Sequence, residues 1–196
     1  QLLNLESQGL ELNPGDLYKK DGTGLMNAVV KLRGGTGEFV SKDGLIVTNH
    51  HVAYTAIQRA SDKARDYLAN GFLARERSQE IPADGYFANV LLDYRDVTKT
   101  VRAAVKPAMT AQQRFEAIDA AKKRLVARGE RKGDDLFCQV KSMYSGNKYY
   151  LFTFKRLWDV RLVYAPPRSV GNFGGEIDNW MWPRHTGDFT FMRAYV

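Results

Sequence analysis

At 196 residues, 44% of them hydrophobic and 12% aromatic, the chain is long enough to fill one sizeable core. It has no apolar run of membrane-spanning length and no signal-like segment at Gln1; a mature secreted protein would have lost such a signal, so this does not argue for the cytoplasm. Its single cysteine, Cys138, excludes an intrachain disulfide and a disulfide-dense module. The net charge of +7 is concentrated: between Arg95 and Asp135 there are 11 Lys/Arg against 6 Asp/Glu.

Taken in order, residues 1 to 13 carry five leucines broken by Gly9 and predict a short helix, followed by a turn at Pro14-Gly15. Leu25 to Leu32 reads as a first barrel strand, β-branched at its centre. A hairpin follows at once, with Glu38 to Ser41 as one strand, Lys42-Asp43-Gly44 as the turn and Leu45 to Thr48 as the return. Asp-Gly between apolar runs is a strong hairpin signal, because glycine accepts the positive φ of a tight turn. Ala53 to Ala69 has helical spacing, and Phe72 to Pro82 is a polar connector. Tyr86 to Tyr94 and Val97 to Val105 read as strands. Thr110 with Gln113 three residues on is a capping box opening a helix striped by Phe115, Ile118, Ala121, Leu125 and Val126 and closed near Gly129. Leu136 to Met143 and Tyr149 to Phe154 pair as strands, and Leu157 to Tyr164 continues the pattern. The aggregate is α+β and β-dominated, with β structure as the frame and helices inserted near 53–70 and 110–129.

Chemistry concentrates in two places. The return strand of the hairpin runs into Thr48-Asn49-His50-His51, so it delivers an imidazole to the point where a strand gives way to a loop or helix. Adjacent strand side chains point to opposite faces, so one histidine of the pair faces a given nucleophile. His51, directly before Val52-Ala53, is the favoured base, and His50 the flanking residue; two ordinary surface histidines are the plain alternative. The second place is the run Gly171 to Arg193, rich in glycine and tryptophan. There Asp188 directly precedes an alternating strand, and a strand start holds a carboxylate rigidly enough to orient an imidazole. Asp178, in the glycine-rich part, is its rival.

These stretches together, Gly44-Leu45-Ile46-Val47-Thr48-Asn49-His50-His51, Gly171-Asn172-Phe173-Gly174-Gly175 and Asp178-Asn179-Trp180-Met181-Trp182-Pro183-Arg184-His185-Thr186-Gly187-Asp188, resemble the bacterial dipeptidyl-peptidases 7 and 11. The resemblance extends over essentially the whole chain. It implies a serine exopeptidase with a chymotrypsin-like double β-barrel, of which residues 1–196 are an N-terminal portion, an incomplete double barrel. It implies His51 as general base and Asp188 as its orienting carboxylate, with Asn179 and Trp180 holding the free α-amino group of the substrate. It also implies a periplasmic or secreted location, a peptide substrate with a free N-terminus, a homodimeric full-length enzyme, and no cofactor, metal, membrane or nucleic-acid partner. Where the family often has a cysteine after the histidine pair, this chain has Val52.

None of the seven serines (Ser7, Ser41, Ser61, Ser78, Ser142, Ser145, Ser169) sits in a Gly-Asn-Ser-Gly-like loop, so the nucleophile is expected beyond Val196 and the 196 residues alone are expected to be inactive. Two competing readings remain. A zinc site of His50, His51 and His185 lacks a His-Glu-x-x-His or cysteine pair. A non-catalytic basic domain would bind nucleic acid or anionic surfaces through residues 95–135, although a solvated helix face explains that charge more plainly.

Overall fold

The structure, a computed structural model, describes residues 5–17, 19, 24–171 and 187–196. Its helices are α1 (Pro14–Leu17), α2 (His50–Ala60), α3 (Tyr67–Asn70), α4 (Thr98–Arg102), α5 (Ala111–Glu130) and α6 (Arg168–Gly171). The strands are β1 (Val29–Leu32), β2 (Gly35–Phe39), β3 (Leu45–Thr48), β4 (Phe72–Leu73), β5 (Ile81–Pro82), β6 (Ala88–Asp96), β7 (Leu136–Met143), β8 (Lys148–Leu157), β9 (Asp159–Ala165) and β10 (Thr190–Tyr195). This is the β-dominated α+β class expected of a chymotrypsin-like chain. The chain divides into two compact units, Leu25–Ala88 with Leu157–Val196, and Gln1–Gly24 with Asn89–Arg156.

The unit of Leu25–Ala88 and Leu157–Val196 is built on an antiparallel sheet in the order β4-β9-β10-β3-β2-β1, with β5 pairing β9 further along. Alternation along each strand puts Val30, Leu32, Ile46, Val160, Leu162 and Met192 on one buried face, joined by Ala53, Ala56 and Ile57 of α2. Met192 is fully buried at the centre of β10, so Met192→Ala is expected to cost about 2–5 kcal/mol, read as a lowered melting temperature.

Three sequence expectations change here. Only Val29–Leu32 of the first predicted strand is extended; Leu25–Ala28 is a 3-10 turn. The hairpin is where it was expected, with Gly44 at φ +74°, but its first strand is Gly35–Phe39. The helix starts at His50 instead of Ala53 and stops at Ala60. It stops because Ser61 and Asp62 satisfy the backbone locally: Ser61 Oγ donates to the Ile57 carbonyl, and Asp62 Oδ1 accepts from the N–H groups of Ala64 and Arg65. Asp66 then caps the separate turn α3.

In the other unit, β6, β8 and β7 form a sheet with α5 packed on β7. Val97, Val101, Cys138, Val140, Tyr149 and Leu151 make its core, with Ile118, Leu125 and Val126 of α5 packed against them. The capping box is present: Gln113 N–H donates to Thr110 Oγ1 (3.3 Å) and Thr110 N–H to Gln113 Oε1 (2.9 Å). Phe115, expected on the apolar stripe, is 68% exposed. Gly129 lies inside α5 instead of closing it, and a Cβ there would meet Cys138 Sγ at 2.5 Å. Where a strand was predicted over Val97 to Val105 there is instead the helix α4; its buried Val101 lies four residues from buried Val97 at the N-cap position, a helical spacing.

Candidate active site

The register of two strands creates the site. β3 and β10 run antiparallel with Thr48 opposite Thr190 and Leu45 opposite Arg193. The residues that follow β3 therefore lie beside those that precede β10, although 137 positions separate His51 from Asp188. Asn49 follows the strand and occupies the N-cap position of α2, and His51 falls in the first helical turn. His51 Nδ1 lies 2.7 Å from Asp188 Oδ2, and the backbone N–H of His51 donates to Asp188 Oδ1 at 3.0 Å. Asn49 Nδ2 donates to Asp188 Oδ2 and to the Asp188 carbonyl, both at 3.2 Å.

Electrostatics fixes how this pair is protonated. Burial pushes the Asp188 carboxyl pKa up, but the backbone N–H and ring of His51 and the Asn49 amide outweigh it and hold it below the usual carboxylate range. The His51 N–H is one of the unpaired donors of a helix N-terminus, where the helix dipole also favours an anion. An ionised carboxylate only accepts, so the 2.7 Å contact assigns the proton to Nδ1. In the neutral imidazole Nε2 then carries the lone pair. The His51 side chain is 72% exposed against 22% for Asp188, so that lone pair belongs to an accessible ring.

His50 is the reverse case. It is 6% exposed, lies edge-on to Tyr54 with ring centroids 6.3 Å apart, and its Nε2 has no partner among the described residues. The alternation expected of a strand is not what separates the two histidines; consecutive residues in the first turn of a helix diverge by about 100°. Burial lowers the His50 pKa, with Asp188 opposing. The unfolded chain therefore takes up a proton near the ordinary imidazole value, about 6.5, before the folded one does. Stability contributed by neutral His50 is complete above that pH and is lost as pH falls toward the folded-state pKa. Melting temperatures measured from pH 7.5 down to 5 are expected to fall less steeply in His50→Gln than in the parent.

Sequence reasoning missed two participants. Asn49 was passed over, although an Asn just before a helix is a capping signal. Glu80, which is buried, joins Arg193 and Tyr195 in a partly buried polar cluster at the other end of β10, with no local signal at all. Asn179, Trp180, Asp178 and His185 lie outside the described residues. Among the described residues no three His, Cys, Asp or Glu groups are placed to hold a metal ion. No described helix is long and apolar enough to cross a membrane.

Residues 2–196 match the peptidase S46 family model. The chain is 42% identical over 193 residues to a dipeptidyl-peptidase 7 of Porphyromonas endodontalis, covering 98% of this chain and 24% of that protein. It is 40% identical over 199 residues to an Asp/Glu-specific dipeptidyl-peptidase of Porphyromonas gingivalis, covering 98% of this chain and 28% of the relative. A crystal structure of Porphyromonas endodontalis DPP11 in complex with substrate superposes with a TM-score of 0.88 at 36% identity, covering all of this chain and 29% of that one. The chain thus spans about a quarter of the length of the relatives it matches, and it belongs to the peptidase S46 family.

Proposed function

We propose that this chain supplies the base and its orienting carboxylate to a serine dipeptidyl-peptidase that releases dipeptides from the free N-terminus of peptides. The observation that carries the reading is the doubly bonded Asp188 carboxylate, which holds His51 at 2.7 Å with Nε2 open. In the proposed reaction a serine hydroxyl attacks the carbonyl of the second peptide bond. His51 Nε2 takes the hydroxyl proton and returns it to the leaving amine, while Asp188 steadies the imidazolium between these steps. Among the described residues the His51 side chain is hydrogen-bonded to Asp188 alone, and Ser41 and Ser61 are engaged in turn and helix-end bonds. We therefore place the nucleophile outside these 196 residues. The unit of Leu25–Ala88 and Leu157–Val196 is read as the first barrel of a chymotrypsin-like domain, with Asn89–Arg156 inserted in sequence. A single cysteine and the bacterial relatives favour a periplasmic or secreted location.

Asn179 and Trp180 are read as the clamp for the substrate α-ammonium, an oxygen acceptor and an aromatic face at a fixed distance from the scissile bond. The dipeptidyl-peptidase 7 and Asp/Glu-specific relatives match this chain at nearly equal identity, 42% and 40%. That supports assigning to this segment what the two names share, dipeptidyl-peptidase activity, and not the Asp/Glu preference that one of them states. The test is dipeptide release by the full-length enzyme. N-acetylation of the substrate is expected to abolish cleavage, and Asn179→Ala to lower kcat/KM about ten- to hundredfold, the worth of one hydrogen bond to a charge. Cleavage of acetylated and free peptides at equal rates would overturn the exopeptidase reading.

A second reading has one observation in its favour. Segment Asn89–Arg156 holds 15 Lys/Arg against 7 Asp/Glu, a net of +8, so the rest of the chain is nearly balanced. Arg124, Arg128 and Arg131 line one concavity of about 420 Å³, and none has a carboxylate partner among the described residues. Such a face would bind anionic surfaces, with a salt dependence of several powers of concentration. Retention on an anionic resin at 0.15 M salt that is lost in Arg124→Glu/Arg128→Glu would support it, and unchanged elution would remove it.

A further inference from the structure

We infer that Asn49 is a positioning residue of the His51–Asp188 pair, an inference that rests on the peptidase reading above. Asn49 stands at the N-cap of α2 with φ −73° and ψ 148°, the conformation in which asparagine normally turns its side-chain oxygen onto the first-turn N–H groups. It does not do so here: α2 has no side-chain cap from its own Asn49. The role passes to Asp188, whose Oδ1 accepts the His51 N–H from another strand at 3.0 Å. The Asn49 amide is turned the other way. Both its contacts are to oxygens of Asp188, the carbonyl and Oδ2, so Nδ2 is the donor in each.

This exchange has a consequence for the geometry of the pair. Asp188 lies two residues before β10, where no ladder bond holds it, and its side chain has two rotatable bonds. The His51 N–H fixes one carboxylate oxygen. A second donor, bonded at once to the main chain and to Oδ2, fixes the rotation of the carboxylate about that first bond. Oδ2 is then held in line with His51 Nδ1 at 2.7 Å. Asn49 itself is exposed, so replacing it opens no cavity. Its polar reach is what the site uses.

The experiment compares Asn49→Ser and Asn49→Ala in the full-length enzyme. Serine and asparagine are near-equal N-caps, whereas alanine is a poor one. If Asn49 serves only the helix, Asn49→Ser behaves like the parent and Asn49→Ala is impaired. If it positions Asp188, both lose activity alike, since neither side chain reaches the carboxylate. The expected result is a ten- to hundredfold fall in kcat for both, KM changed less than threefold, and the melting temperature of Asn49→Ser unchanged. The acid limb of kcat/KM, which reports the imidazolium, is expected to move to lower pH, because a carboxylate free to rotate stabilises that cation less well. An Asn49→Ser enzyme with parental kcat and parental acid limb overturns the inference. If His51→Ala proves active, it is the peptidase reading that fails; if His51→Ala is inactive while Asn49→Ser is normal, only this inference does.

Discussion

Asp188→Asn in the full-length enzyme is expected to lower kcat by about 10⁴-fold while changing KM little, a loss of the size associated with a wrongly protonated triad histidine. The reason is visible in the bonding around the carboxylate. Oδ1 receives the backbone N–H of His51, so an asparagine must place its carbonyl oxygen there. Its NH₂ then occupies the Oδ2 position, facing His51 Nδ1 and Asn49 Nδ2. Two donors facing each other are relieved when the imidazole moves its proton from Nδ1 to Nε2. The lone pair that would accept the serine proton is then gone. His51→Ala removes the base outright and is expected to be at least as damaging. Steady-state kinetics on a peptide with a free N-terminus measures both. Retention of a tenth of the parental kcat in either variant would show that this pair does not carry the reaction.

That the pair meets was legible in the sequence, because both ends of the argument were local. Asp43-Gly44 announces a hairpin, its return strand ends in polar residues, and Asp188 heads an alternating apolar strand. The register that joins them, Thr48 opposite Thr190, is not written in any one segment. It follows from burying Ile46 and Met192, paired residues on one face of the same ladder. The roles within the site were harder to read. His50 and His51 look equivalent in sequence, and only the start of α2 at His50 sends one ring into the core and leaves the other in solvent. Asn49 carries a capping signal that the fold redirects to Asp188. The helix at Val97 and Val101 was misread because two valines spaced by four satisfy both an even strand period and a helical one; Asp96, which accepts the Thr98 N–H, tips the segment toward a helix.

The far end of the same two strands is where the largest loss of stability is expected. Glu80 has a side chain only 2% exposed; its Oε1 accepts from Arg193 Nε and its Oε2 from the Tyr195 hydroxyl, both at 2.8 Å. Arg193 also donates through a terminal nitrogen to the Asp43 carbonyl in the hairpin turn, and the Ala194 N–H donates to the Gly44 carbonyl. Arg193, oriented by that carboxylate, and the Ala194 N–H thus fasten β10 to the turn from which β3 departs toward His51. Glu80→Ala removes both bonds of a buried carboxylate and leaves the partly buried Arg193 guanidinium without its counter-charge, at an expected cost of about 3–5 kcal/mol. Tyr195→Phe removes one hydrogen bond to the Glu80 carboxylate and keeps the ring under the Arg161 guanidinium 4.5 Å away, so it should cost about 1.5 kcal/mol. Thermal melting of the full-length protein should rank Glu80→Ala below Tyr195→Phe. Hydrogen exchange should rise in β3 and β10 together, since they share a ladder. Faster exchange in those strands should be accompanied by lower kcat, because a loosened β10 no longer delivers Asp188 to His51. If Glu80→Ala leaves exchange in both strands at parental rates, the cluster is not what sets their register, and the buried face of Ile46 and Met192 holds it unaided.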